Sequence, residues 1–331
     1  MKQLMLYFAA FIFIAGASAR QVCYDGGVGC FSDDPPFDNF PLPEDPVELQ
    51  PKYLLLRKNQ TLQVIERCDQ LDTNELVVAT HGFSGNYENT YYWNSKITDG
   101  IFKVRPNANV LFIDWERGAQ FGSGKSIYHQ PASNVRVVAK IVSLWLQENP
   151  LFDSTKAHCI GFSLGAHICG VTAKRLGTKW GRLSAIDPAG PAFIKDDPVA
   201  RVDISDGIVV DVMHVSWISL GRQIGHKDFY VNNARVQPGC LSRRKRGLLD
   251  NVFDIFGCSH YRAALLYSET IEQRHDCVFQ ACPCPTQQHF DKGYCRDCHS
   301  NDGQLLGYRS IESNKTGIFY VATSGEEPYC I

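Results

Sequence analysis

The sequence predicts an α/β fold with a mostly parallel central sheet and helices on both faces. Short apolar runs, typical of buried strands, alternate with segments of helical periodicity. The pentapeptide Gly-Phe-Ser-Leu-Gly, residues 161–165, lies between a strand-like run and a helix-compatible run of small residues. Glycines flank a serine in this way where a strand turns sharply into a helix and the hydroxyl is pushed outward. Ser163 is therefore the first candidate functional residue.

The elements that support this fold class follow one another along the chain. Residues 32–51 are rich in proline and aspartate, and we expect an irregular wrap there. Apolar residues recur at helical spacing up to Gln147, with Asn134 available as the N-cap. Parallel strands end at one edge of a sheet, so residues just after them should lie together. The predicted strands are residues 76–80, 109–113, 157–160, 183–186 and 208–213.

The N-terminus has the pattern of a secretory signal peptide. Lys2 precedes a short apolar run, and the small residues 17–19 form a cleavage site, which predicts a signal peptide over 1–19 and one domain over 20–331. No later apolar run is long enough to span a bilayer. Asn59 and Asn314 begin glycosylation sequons that suit an exported, extracellular protein. The net charge of −2 does not suggest a nucleic-acid partner.

Thirteen cysteines in an exported chain predict a disulfide framework with at least one thiol left over. We expect bridges within the pairs Cys23 and Cys30, Cys240 and Cys258, and Cys284 and Cys295. Metal binding by Cys295 and Cys298 is the alternative in the C-terminal cluster. Cys68 has no obvious partner. Cys159 and Cys169 lie in core-like runs and are expected to be buried free thiols. The pairing of Cys277, Cys282, Cys298 and Cys330 stays open.

A serine hydroxyl becomes a good nucleophile when a histidine takes its proton and a carboxylate holds that histidine. Asp187 follows a predicted strand and is the candidate acid. In this fold class the histidine comes later in the chain, and His214, His226 and His260 all qualify. We prefer His260, because a Cys258 bridge would fix its loop, and interpret the other two as structural.

A tetrahedral oxyanion would need two backbone amides. The residue after the nucleophile, Leu164, should supply one of them. The loop after an early strand, His81-Gly82-Phe83, should supply the other, and Phe83 is our choice because Gly82 permits a close approach.

These motifs together resemble the pancreatic lipase family of animal neutral lipases and phospholipases A1, over nearly all of the mature chain. The resemblance implies an α/β-hydrolase fold, a Ser163, Asp187 and His260 triad, and hydrolysis of acyl-lipid esters at a lipid–water interface. A non-catalytic lipid-binding or yolk-type protein is the alternative, although all three triad residues are present. The matching blocks are residues 22–24, 29–34, 161–167, 187–189, 225–230 and 258–262.

The resemblance also implies a structural Ca²⁺ site. In the family, two aspartates and two backbone carbonyls bind the ion, and these would be Asp203, Asp206, Pro198 and Arg201. Oxygen ligands suit Ca²⁺, but a solvated acidic turn would have the same sequence. No cofactor is expected for the chemistry itself.

Two departures from the digestive lipases bear on partners and substrate. The chain ends at Ile331 without their C-terminal β-sandwich, so colipase is not an expected partner. The loop over residues 214–225 is shorter than in triacylglycerol lipases and looks more like the phospholipase A1 branch.

Residues 240–258 occupy the position of the family's lid, between Cys240 and Cys258. Arginines and a lysine at 243–246 could form a solvated turn, attract anionic lipid or mark a processing site. A helix after them would carry an apolar face for the serine pocket or for lipid, and an ordinary core helix is the alternative. That face comprises Leu248, Leu249, Val252, Phe253 and Phe256.

Overall fold

The computed structural model describes residues 19–331 except 73, 121–126, 195–196, 241–247, 273–275, 296–297 and 299–301, and it describes no side chains for 91 and 248–256. Short strands and helices alternate along this part of the chain. The strands are β1 (Gln21–Tyr24), β2 (Gly29–Ser32), β3 (Lys52–Leu56), β4 (Gln63–Ile65), β5 (Leu76–Thr80), β6 (Asn109–Asp114), β7 (His158–Phe162), β8 (Trp180–Ile186), β9 (Gly207–His214), β10 (Lys227–Val231), β11 (Gln280–Pro283), β12 (Gln304–Leu305) and β13 (Gly317–Val321).

Among the described strands, eleven form one sheet in the order β12-β11-β13-β10-β9-β8-β7-β5-β6-β3-β4. The strands from β13 to β6 in this order run parallel to their neighbours. Antiparallel strands complete both edges, while β1 and β2 pair separately. The predicted α/β class, with a mostly parallel sheet, is confirmed.

Helices cover both faces of this sheet. Within β5, Val78 packs in a core with α4 (His129–Gln147) and α5 (Leu164–Leu176). Val77 and Ala79 pack in a second core with α2 (Tyr91–Val104) and α6 (Leu248–Ile271). Alternate strand side chains point to opposite faces, so a sheet that is apolar on both faces needs helices on both. In the described chain no helix is long and apolar enough to cross a membrane. The helices are α1 (Pro46–Leu49), α2 (Tyr91–Val104), α3 (Glu116–Ala119), α4 (His129–Gln147), α5 (Leu164–Leu176), α6 (Leu248–Ile271) and α7 (Gln287–Asp291).

One predicted helix boundary is wrong. We expected Asn134 to cap the helix ending at Gln147, but α4 begins five residues earlier, at His129. The Asn134 side chain is buried inside this helix. It accepts a hydrogen bond from the Glu44 amide (3.0 Å) and donates one to the Gly118 carbonyl (3.1 Å). Asn134 therefore joins distant segments to α4, although the same residue type is common at helix starts.

Disulfides pair every cysteine except Cys68, which is buried and has its pKa raised to about 12 by that burial. The prediction that Cys159 and Cys169 are free thiols is wrong, because these residues form a disulfide bridge with Cα atoms 6.0 Å apart. The bridge joins β7 to the helix that follows it. Cys295 and Cys298 are bridged to other cysteines, which removes the thiolates that a metal would need. The remaining pairs are Cys23–Cys30, Cys240–Cys258, Cys277–Cys330, Cys282–Cys298 and Cys284–Cys295.

Arg182, on β8, ties the C-terminal segment to the centre of the sheet. Its guanidinium donates to the Asp211 carboxylate on β9 (2.8 Å). It also donates to the carbonyls of Gly307 (2.8 Å) and Tyr308 (2.7 Å). Arg182 and Asp211 are both buried, so these contacts replace the water that each charge would otherwise require.

We expect Arg182→Met to lower the free energy of unfolding by about 3–5 kcal/mol, because it leaves Asp211 buried without its counter-charge. Arg309→Met is the matched control. Arg309 forms a solvent-accessible ion pair with Glu312, and such a pair contributes about 1 kcal/mol or less. Urea denaturation of the disulfide-bonded protein measures both variants. Equal losses would contradict the importance of the Arg182 network.

Candidate active site

Ser163 lies on the tight turn between β7 and α5. Its φ of 58° and ψ of −120° are strained for a residue with a side chain. Gly161 makes the turn sterically feasible, because a Cβ there would come within 2.5 Å of the Ala166 backbone. The Ser163 amide donates to the carbonyl of Ile186 at the end of β8 (2.9 Å). The geometry is that of a nucleophile elbow.

Asp187 and His260 lie together, as their order in the chain predicts. The ring Nδ1 of His260 donates to Oδ2 of Asp187 over 2.7 Å. This bond fixes the tautomer, so Nε2 is the nitrogen available to accept a proton. The His260 ring also packs on Phe162, the residue before Ser163, with centroids 4.6 Å apart. Asp187 is fully buried, whereas the His260 side chain is partly accessible.

The sequence did not identify Ser216, which completes the hydrogen bonding of Asp187. Its hydroxyl donates to Oδ2 of Asp187 (2.5 Å) and lies 3.5 Å from Nδ1 of His260. The amides of Val215 and Ser216 donate to the other carboxylate oxygen, Oδ1, over 2.6 and 3.0 Å. A serine two residues after a strand end is too common a pattern to have revealed this role.

His260 lies on α6 and not in the loop that we expected. The helix runs without interruption from Leu248 to Ile271, and the Cys240–Cys258 bridge joins its middle to the segment before it. A helix fixes the direction of a side chain as firmly as a cross-linked loop does. The basic run at 243–246 lies outside the described residues. The side chains of the predicted lid face also lie outside the described part of the structure, and these are Leu248, Leu249, Val252, Phe253 and Phe256.

The loop after β5 lies against Ser163. A Cβ on Gly82 would be 2.5 Å from the Cβ of Ser163, so only glycine allows this approach. Phe83 is the next residue of this loop. Leu164 is the first residue of α5, and the first amides of a helix have no acceptor within it. Both predicted oxyanion residues thus belong to segments that meet at Ser163.

His81 anchors this loop. Its Nε2 lies 3.0 Å from Oδ1 of Asp114, and its carbonyl accepts from the Trp115 indole (2.8 Å). Burial raises the pKa of Asp114, but the hydrogen bond with His81 and those from the amides of Tyr87 and Glu116 outweigh that effect and bring the pKa below its usual value. Because the two side chains satisfy each other's hydrogen bonds, the polar loop after β5 can be buried.

The two histidines interpreted as structural have other partners. The ring of His214 contacts the Ser219 hydroxyl through Nδ1 (2.8 Å) and Asp228 through Nε2 (2.9 Å). Nδ1 of His226 accepts from the Val210 amide (3.0 Å), and burial lowers the pKa of His226. His260 is the one of the three candidates that contacts Asp187.

The turn expected to bind Ca²⁺ is occupied by side chains of the protein. Both carboxylate oxygens of Asp206 contact Nζ of Lys174 (2.5 Å each), and the Arg201 carbonyl accepts from the same nitrogen (3.0 Å). Asp203 caps the short helix 204–206, while Pro198 begins the preceding one. In the described chain no group of three or more potential ligand side chains could hold a metal. These residues do not fit a Ca²⁺ site.

A family model described as Lipase matches residues 20–329. Bovine pancreatic lipase-related protein 2 is 30% identical and aligns with 90% of this chain and 68% of its own length. Chicken lipoprotein lipase is 29% identical over 80% of this chain, which spans 56% of that relative. The mouse inactive pancreatic lipase-related protein 1 is 29% identical over 95% of this chain and 71% of its own length.

Similarity to solved structures is weaker. A phospholipase/carboxylesterase from Dyadobacter fermentans is 12% identical over 50% of this chain and 72% of its own, with a TM-score of 0.32. The α/β-hydrolase fold is therefore assigned from the strand order and the elbow. The resemblance to the pancreatic lipases predicted from the motifs is confirmed, and because the family model spans residues 20–329, this chain belongs to the Lipase family.

Proposed function

We propose that this protein is a secreted serine carboxylester hydrolase that releases fatty acids from acyl lipids, as a triacylglycerol lipase, a phospholipase A1 or both. The observation that carries the proposal is the 2.7 Å contact between His260 and the buried Asp187 beside a serine on a strained turn. Strain at an otherwise well-packed position is typical of functional sites. Membership of the Lipase family supports a lipid ester as the substrate.

In the proposed acylation step, Nε2 of His260 removes the hydroxyl proton of Ser163 as Oγ attacks the ester carbonyl carbon. The carbonyl π electrons move onto oxygen, and the amides of Phe83 and Leu164 stabilise the oxyanion. Collapse of this intermediate breaks the bond to the leaving alcohol, which takes the proton from His260. Asp187 stabilises the transient imidazolium.

Deacylation repeats these roles with water. His260 removes a proton from water as the oxygen attacks the acyl carbon bound to Ser163. The second tetrahedral intermediate expels Oγ, which recovers the proton, and a fatty acid leaves. Removal of one oxyanion donor in such a site typically costs about 3 kcal/mol of transition-state stabilisation.

Export is proposed from three features. The first 19 residues have the pattern of a signal peptide. Six disulfides pair twelve of the thirteen cysteines, which is typical of an oxidising compartment. Asn59 and Asn314 are exposed, so both sequons are accessible to a glycosyltransferase.

The short loop at 214–225 favours a phospholipid, whose polar head group it would admit, whereas an apolar lid would favour neutral glycerides.

This loop also carries a feature suited to a lipid surface. Trp217 follows Ser216 directly and is 53% exposed. The Arg235 guanidinium carbon lies 4.2 Å from the centre of its ring. Trp is enriched at membrane–water interfaces, and an arginine can extend its charge toward phosphate.

The activity is tested by incubating the purified protein with emulsified triacylglycerol and with phosphatidylcholine vesicles in parallel. We expect fatty-acid release that falls by about 10⁴-fold or more in Ser163→Ala, because the nucleophile is gone. Ser95→Ala removes the hydroxyl of a serine on α2 and is the matched control. The ratio of the two rates assigns the substrate preference.

The proposed enzymatic activity would be refuted if the wild type released no fatty acid from either substrate. The protein would also have to bind vesicles and show no labelling of Ser163 by a phosphonate. That outcome would support the alternative, a non-catalytic lipid-binding or yolk-type protein, and the mouse relative is itself described as inactive.

Ser216→Ala should lower kcat about tenfold and leave KM nearly unchanged. A hydrogen bond to a charged group contributes about 1.5–3 kcal/mol, and loss of 1.4 kcal/mol reduces a rate about tenfold. Hydrolysis of a soluble short-chain ester measures kcat without the complication of an interface. Ser219→Ala, in the same loop, removes a hydroxyl that does not contact Asp187. Comparable kcat for the two variants would argue against the positioning role of Ser216.

Trp217→Ala should reduce hydrolysis of emulsions or vesicles several-fold and leave hydrolysis of a soluble ester unchanged, because it weakens adsorption and not chemistry. Leu151→Ala is the matched control, since Leu151 is 72% exposed and lies before the amino end of β7, opposite the site. Vesicle sedimentation measures binding directly. An equal loss on soluble and interfacial substrates would show that Trp217 acts on the catalytic residues instead.

A further inference from the structure

The acidic turn over residues 198–206, between β8 and β9, is paired with positively charged side chains of the protein itself. Ca²⁺ would require six to eight oxygen ligands at about 2.3–2.6 Å. Asp206, the most buried acid of the turn, instead directs both carboxylate oxygens at the ammonium of Lys174. One of those oxygens also accepts from the Asp203 amide (2.7 Å). Both carboxylate oxygens thereby have protein donors.

The second acid and the carbonyls of the turn have protein partners too. Oδ1 of Asp203 accepts from the Ser205 amide (3.1 Å), and Oδ2 lies 3.5 Å from the Arg201 guanidinium. The same guanidinium donates to the Val202 carbonyl (2.8 Å), and the Arg201 carbonyl accepts from Lys174. Two carboxylates are thus matched by two monovalent side-chain cations, which is the charge that one Ca²⁺ would supply.

Helix α5 is shaped to bring Lys174 into this turn. His167, Gly170 and Lys174 lie on one face of the helix, at spacings of three and four residues. Nδ1 of His167 accepts from the Val202 amide (3.3 Å). A Cβ on Gly170 would come within 2.6 Å of Cα of Val202 and 2.7 Å of an Asp206 oxygen. The turn therefore packs directly on the helix backbone, and the lysine above it reaches the carboxylate.

We propose that the ammonium of Lys174 takes the position of the divalent cation, so that this chain holds the turn without Ca²⁺. Lys174 pairs with Asp206 and Arg201 pairs with Asp203. A Ca²⁺ ion added to these pairs would bring two positive charges next to two others. The turn leads into β9, and the residues after β9 bind Asp187, so the lysine supports the catalytic acid independently of metal.

The experiment compares the melting temperature of the wild type and Lys174→Met, each in excess EDTA and in excess CaCl₂. The wild type should melt at the same temperature in both, and titration calorimetry should detect no Ca²⁺ binding. Lys174→Met should melt at least about 5 °C lower in EDTA, because it leaves Asp206 buried and unpaired. Lys179→Met, which removes an exposed lysine next to β8, is the matched control and should melt with the wild type.

A wild-type melting temperature that rises with CaCl₂ or falls with EDTA would overturn the proposal, as would measurable Ca²⁺ binding. It would also fail if Lys174→Met melted no lower than Lys179→Met. The strongest support would be a melting temperature of Lys174→Met that CaCl₂ restores to the wild-type value. Such a result would show that the lysine ammonium and the ion occupy the same position. All of these readouts are independent of enzymatic activity.

Discussion

The arrangement of the site depends on one buried carboxylate, that of Asp187. It is fully inaccessible to water, and an ionised carboxylate in such a place is stable only when its oxygens are hydrogen-bonded. Its donors come from the segment after β9 and from His260 on α6, 73 residues away in the chain. The ends of β8 and β9 and the middle of α6 are therefore held in one relative position by the same two oxygen atoms.

The parallel sheet explains why this site could be located from sequence. Parallel strands end at a common edge, so a serine, an acid and a glycine loop that each follow a buried apolar run must meet there. Ser163, Asp187 and Gly82 obey this rule, since each lies directly or almost directly after β7, β8 or β5. The choice of His260 rested on a weaker argument. Its neighbour Cys258 is bridged as expected, but the surrounding segment is helical.

What could not be predicted are contacts between side chains that no local pattern connects. Ser216 acts on Asp187 through a loop whose path depends on β9 and on its neighbours. The Cys159–Cys169 bridge crosses the elbow, and each cysteine alone looks like an ordinary core residue. Asn134 has the sequence context of a cap but uses its amide to join Glu44 to α4. Each depends on the tertiary packing, which overrides local preference.

Helix α5 connects the proposed chemistry to the acidic turn. Ser163 immediately precedes it, Cys169 bridges it to β7, and Lys174 near its C-terminus holds Asp206. A bound metal ion can dissociate from such a turn, whereas a lysine side chain is part of the chain. Lys174 therefore connects the acidic turn, which leads into β9 and toward the residues that bind Asp187, to the same helix that directly follows Ser163.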